Sequence, residues 1–178
     1  MSNHKIIFTG PVGAGKSTAI GSITDVPPLT TDELASDMTR NRKSGTTVAM
    51  DYGVMNLHAS ERIHLYGTPG QERFDFMWDI LTEGGIGLVL LINNSRPDPF
   101  QDMHFFLSAF KAFIDKSRVV IGVTRTDESN IPKINDYHLQ LSDFNQKIPI
   151  FEVDARKRRD VSLLVEALLY SLDPGIIG

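Results

Sequence analysis

The stretch Gly10-Pro11-Val12-Gly13-Ala14-Gly15-Lys16-Ser17-Thr18 fits the spacing G-x-x-x-x-G-K-[ST]. Glycine is costly to order, so Gly10, Gly13 and Gly15 in one short turn need a reason. An anion supplies one. With no side chains in the way, the main-chain N–H groups of Gly10, Gly13, Ala14, Gly15, Lys16, Ser17 and Thr18 can converge on phosphate oxygens. The start of a helix adds its positive end. In this pattern Lys16 reaches the β- and γ-phosphates of a nucleotide and the Ser17 hydroxyl ligates Mg²⁺. The alternative, a glycine-rich turn that holds no phosphate, leaves both the lysine and its spacing unexplained.

Three more stretches carry chemistry. Leu65-Tyr66-Gly67-Thr68-Pro69-Gly70-Gln71-Glu72-Arg73-Phe74 follows an apolar run, Thr124-Arg125-Thr126-Asp127 ends another, and Asp154-Ala155-Arg156 ends a third. In order and spacing they resemble the motifs of Ras-like small GTPases over nearly the whole chain, most nearly the bacterial MglA-like, roadblock-associated branch. The resemblance implies that the Gly70 N–H meets the γ-phosphate and that Gln71 orients the attacking water. Thr47 resembles the switch threonine that reaches Mg²⁺ and the γ-phosphate; Thr46 is its neighbouring alternative. Bland readings stand beside these: Gln71 as a solvated helix-start residue, Thr47 as an ordinary strand threonine. Asp127 resembles the acid that accepts from guanine N1–H and the 2-amino group. Adenine would leave such a carboxylate unpaired, which favours GTP over ATP. Ala155 resembles the residue whose N–H meets guanine O6, with Asp154 and Arg156 flanking it.

Two departures from that pattern stand out. The family's N-K-x-D begins Thr124-Arg125 here. The Arg125 guanidinium can lie over a base as lysine does. Thr124, being shorter than asparagine, is expected to lose the tie to the phosphate loop and to weaken nucleotide affinity. The D-x-x-G aspartate, which holds a water on Mg²⁺, is replaced by Gly67. If residues 47–57 and 62–66 form a hairpin turning about Ala59, Asp51 lies opposite Gly67 and shares its face. Asp51 is then a substitute group on the Mg²⁺ side, alongside Ser17 and Thr47; a solvated strand aspartate is the alternative. No internal arginine finger is evident, although Arg40, Arg42, Lys43 and Arg73 lie near the expected switches. The expected intrinsic hydrolysis is therefore slow.

These residues need a scaffold. Apolar runs at about 5–9, 47–57, 62–66, 86–93, 118–124 and 148–153 read as strands alternating with helical patterns. The expected fold is α/β of the P-loop NTPase type: one domain, 1–178, with a mainly parallel six-stranded sheet, one antiparallel edge strand and helices on both faces. Phe100, Met103, Phe106, Leu107, Phe110 and Phe113 or Ile114 recur at helical spacing. So do Val161, Leu164, Val165, Leu168, Leu169 and Leu172, with Asp160 placed as an N-cap. Residues 25–46 show no apolar pattern and read as a long functional loop. Of Phe74, Phe76, Met77 and Trp78 some must fill core, but the four exceed one helical stripe, and the surplus suggests a docking surface for a regulator, by resemblance a roadblock/LC7-type protein.

The 41% hydrophobic and 22% charged composition is that of an ordinary globular chain. A net charge of -4 argues mildly against nucleic-acid or anionic-membrane surfaces. The absence of cysteine fits a reducing cytoplasm, and neither a signal peptide, a spanning segment nor a lipidation motif is evident. The five histidines show no metal spacing. The expectation is a cytoplasmic, Mg²⁺-dependent GTP/GDP switch with slow hydrolysis. A non-hydrolysing nucleotide-dependent adaptor and a P-loop kinase acting on a small metabolite are the alternatives.

Overall fold

The computed structural model describes residues 2–28, 51–58, 60–68, 76–144 and 146–172. Six strands form one sheet: β1 (Ser2–Thr9), β2 (Asp51–His58), β3 (Glu61–Gly67), β4 (Gly87–Asn93), β5 (Val119–Thr124) and β6 (Ile150–Glu152). Their spatial order is β2-β3-β1-β4-β5-β6. Every neighbouring pair is parallel except β2 with β3, so β2 is an antiparallel edge strand. This is the P-loop α/β architecture.

The sheet is buried on both faces by period-two alternation. Ile6, Phe8, Val89 and Leu91 face one side, where helices α1 (Lys16–Ile23) and α6 (Arg158–Leu172) pack. Ile7, Leu88, Leu90 and Ile92 face the other. There they meet α2 (Phe76–Thr82), α3 (Pro99–Ala109), α4 (Lys111–Lys116) and α5 (Ile134–Gln140). All seven residues of β4 are buried, as its unbroken apolar run requires of a central strand. At Gly122 an added Cβ would come within 2.7 Å of Leu164, so the missing side chain lets α6 lie close on the sheet.

Two expectations are sharpened here and one, the Asp160 cap, is corrected. The stripe from Phe100 to Ile114 is carried by two helices meeting at Phe110, whose N–H still reaches Phe106. The last helix begins at Arg158, so Asp160 lies in its first turn and is not the N-cap. Its carboxylate instead accepts from the Asp154 N–H at 2.9 Å. Of the large groups at 74–78, Trp78 is one that fills core: it is 4% exposed and stacks on Phe110 with ring centres 4.8 Å apart. Of the expected long loop, residues 29–46 lie outside the described residues, as do residues 47–50 of the second strand and Phe74.

Candidate functional site

At the carboxyl end of β1 the chain turns through Gly10, Gly13 and Gly15 at φ of 148°, 82° and 97°. These are values that glycine adopts without strain. At Gly10 a Cβ would lie 2.1 Å from the Leu91 carbonyl oxygen, so no other residue fits between the loop and β4. Gly15 caps α1 with no side chain accepting from the helix. The first-turn N–H groups of Lys16, Ser17 and Thr18 therefore open toward an anion. The Lys16 amine donates to the carbonyls of Gly10 at 2.7 Å and Pro11 at 3.0 Å. Burial lowers its pKa to about 8, with the nearby Asp51 charge working in the opposite direction.

Beside this loop, β2 pairs with β3 so that Asp51 lies opposite Gly67, a register that runs unbroken to Asn56 opposite Arg62 and shifts before His58. A Cβ on Gly67 would meet the Asp51 Cβ at 3.2 Å and its Oδ2 at 3.3 Å, so the aspartate leans over the space the glycine leaves. The Ser17 hydroxyl donates to Asp51 Oδ2 at 2.5 Å. The Thr9 and Thr68 hydroxyls, 2.6 Å apart, join the ends of β1 and β3 just beneath. This oxygen-only donor set suits Mg²⁺, a hard cation bound by few protein groups together with phosphate oxygens. Among the described residues no group of three or more His, Cys, Asp or Glu forms a cage that would hold a metal by itself.

The other flank is built by the loops after β4, β5 and β6. The expected loss of a tie at Thr124 is corrected: its buried hydroxyl reaches the Ala14 carbonyl at 2.9 Å. Asn93 Nδ2 and Arg125 Nε both donate to the Gly13 carbonyl, at 3.2 and 3.0 Å. Three side chains thus share the link that one asparagine was expected to supply. Arg125 holds φ at 59°, and its guanidinium also pairs with Glu128 at 2.7 Å. Asp127 is exposed in the same turn. Ala155 abuts the phosphate loop, 3.0 Å from where a Gly15 Cβ would stand. Asp154 and Arg156 form a two-point ion pair, at 2.9 and 2.8 Å. Hydrogen bonds from the Arg156 side chain and N–H hold the Asp154 carboxyl well below the usual range.

The structure therefore gathers Gly10, Gly13, Ala14, Gly15, Lys16, Ser17, Thr18 and Asp51 on one side and Thr124, Arg125, Asp127, Asp154, Ala155 and Arg156 on the other. Thr47, Gly70 and Gln71, with Arg40, Arg42, Lys43 and Arg73, lie outside the described residues. Sequence reasoning missed Asn93 and Asn94 and gave Asp160 a different role; all three hold the flanking loops. The pair Asn93-Asn94, directly after the apolar run of β4, was the available signal, because ligands of open α/β sheets sit at the carboxyl ends of strands.

Residues 27–172 match the family described as conserved hypothetical ATP binding protein. The chain is also similar to MJ1339, an uncharacterized protein of Methanocaldococcus jannaschii, at 22% identity over 84% of this chain and 73% of that protein. Similarity to the Ras-related protein RabC of Dictyostelium discoideum is 22%, over 96% of this chain and 84% of the relative. For the Ras-related protein RABA1e of Arabidopsis thaliana it is 25%, over 67% of this chain but only 51% of the relative. No helix among the described residues is long and apolar enough to cross a membrane.

Proposed function

We propose that this chain, which belongs to the family of conserved hypothetical ATP binding proteins and is a P-loop protein similar to Ras-related small GTPases, acts as a Mg²⁺-dependent guanine-nucleotide switch. One observation carries the reading. The glycine loop with its half-buried lysine is joined by direct hydrogen bonds to the turn that bears Asp127. A polyphosphate on the Lys16 side would thus place its purine against Arg125, Asp127 and Ala155.

The roles follow from chemistry at each atom. The first-turn N–H groups and Lys16 neutralise phosphate charge as positioned donors. Ser17 and Asp51 are the groups that would hold Mg²⁺, whose contribution is to offset charge on the β- and γ-phosphates. Asp127 accepts two N–H donors from the N1 and C2 edge of guanine, where adenine presents a lone pair and a C–H. Gln71, Thr47 and Gly70 keep the roles the motif resemblance implies, hydrolysis being slow until a protein regulator acts on the segments that carry them.

The family description favours a second reading, in which ATP is the ligand. Binding that raises the melting temperature separates them, since a ligand held only by the folded state stabilises it by RT ln(1 + [L]/Kd). With Mg²⁺, GTP and GDP should raise it and equimolar ATP should raise it less. A larger shift with ATP refutes the guanine reading. Phosphate release from bound GTP then distinguishes a slow hydrolase from an adaptor that only binds.

A further inference from the structure

Asn93, the last residue of β4, and Asn94, the first residue of the turn after it, send their side chains to different loops. Asn93 reaches the phosphate loop at Gly13, and its Oδ1 accepts from the Ser95 N–H at 2.9 Å and the Ser95 hydroxyl at 2.6 Å. Asn94, 1% exposed, reaches the other loop. Its backbone N–H donates to the Thr124 carbonyl at 3.0 Å, and its Nδ2 donates to the carbonyls of Ser129 at 2.6 Å and Pro132 at 3.0 Å. Its Oδ1 accepts from the Tyr137 hydroxyl at 2.5 Å.

That set fixes the carboxamide: two N–H donors meet two carbonyls and the oxygen meets a hydroxyl. Tyr137 is fully buried and is packed edge-on by Phe100, ring centres 5.0 Å apart. Thr124, Ser129 and Pro132 bracket the turn carrying Arg125 and Asp127, so one side chain and its own amide hold both ends of it. Inside the bracket the turn is closed by the Glu128 and Ser129 N–H groups on the Arg125 carbonyl.

We propose that Asn94, locked in orientation by Tyr137, is the positioning residue of the base-recognition turn, so that purine selectivity depends on it separately from phosphate binding. The inference rests on the reading of Asp127 as the residue that sorts the purine. Its logic is geometric: a carboxylate tells guanine from its analogues only while its backbone is held still. Asn93 is the counterpart for the phosphate loop, which makes the two neighbours separable by experiment.

The test measures dissociation constants with Mg²⁺ for GDP, IDP (which lacks the 2-amino group), ADP and inorganic tripolyphosphate, by displacement of a fluorescent guanine nucleotide. Tyr137→Phe and Asn94→Ala should each reduce the preference for GDP over IDP by about tenfold, the upper end of what one net hydrogen bond contributes. Tripolyphosphate affinity should stay within about twofold of wild type, while Asn93→Ala should weaken tripolyphosphate and GDP together. Melting curves report stability in parallel. Should Asn94→Ala not fold, Tyr137→Phe carries the comparison, since it removes a single oxygen. A lowered melting temperature with an unchanged GDP-to-IDP ratio overturns the proposal and leaves Asn94 as a purely structural residue. A wild-type chain with no preference for GDP over IDP and ADP overturns the reading of Asp127 itself, a distinct result.

Discussion

Lys16 sits where burial and function pull its proton in opposite directions. Folding takes its amine partly out of water, and the folded chain releases the proton near pH 8 where the unfolded chain keeps it to 10.5. Between those values unfolding takes up a proton, so the contribution of Lys16 to stability rises with pH over that window and costs most below it. The ligand-free wild type should therefore gain stability from about pH 8 to 10.5 relative to Lys16→Met, in urea titrations of both. A bound polyphosphate favours the charged amine. Nucleotide affinity should then fall as pH rises above about 8, with proton uptake visible by calorimetry in buffers of different ionisation enthalpy. A flat affinity from pH 7 to 9.5 would count against Lys16 as the phosphate contact. At Asp51 the relevant chemistry is charge. Asp51→Asn keeps the shape but weakens a cation site, and should raise the GTP dissociation constant in Mg²⁺ by about tenfold or more while changing GDP binding little. Equal small effects on both nucleotides would remove Asp51 from the metal side.

Among the elements, the strands and their pairing were legible because each rests on a simple period. β4 is an unbroken apolar run, and the β2–β3 register follows from a turn position and the two-residue repeat of a strand. Side-chain reach was not legible. Thr124 looked too short to hold the phosphate loop because nothing in a sequence says how closely the Ala14 carbonyl approaches β5. Which of the large groups at 74–78 fills core was not legible because α2 spans only seven residues, too few for a helical stripe to show that Trp78 lies on the buried side. Asp160 was displaced as a cap for a related reason: its hydrogen bond runs out of its helix to Asp154. Thr124→Val tests the corrected role. Removing that hydroxyl from a buried carbonyl should lower stability by about 1–2 kcal/mol and weaken nucleotide binding as well. A variant that melts lower yet binds GDP as wild type does would confine Thr124 to the fold.

On the scale of the whole molecule, the close seating of α6 on the sheet sets what substitution the core tolerates. A Cβ at Gly122 would lie 2.7 Å from Leu164, 2.9 Å from Leu91 and 3.0 Å from Val153, each tighter than ordinary contact. Gly122→Ala should thus destabilise by about 1–3 kcal/mol, as overpacked cores do. At the exposed Gly21 of α1 nothing lies within 4 Å of an added Cβ, and Gly21→Ala should stabilise by about 0.5–1 kcal/mol. Thermal unfolding of both variants gives opposite signs if the packing is as described, and equal signs contradict it.

The facing pair Asp51 and Gly67 has a corollary for how such sites can be rearranged. The proposed Mg²⁺ side would need one carboxylate at one place above the sheet, and two adjoining strands offer a backbone from which to hang it. Asp51→Gly alone should abolish the gain in GTP affinity that magnesium brings. Adding Gly67→Asp to it moves the acid across the ladder into the gap just opened, and should bring that gain back. Failure of the exchanged pair to recover it would mean that the two strands are not equivalent supports.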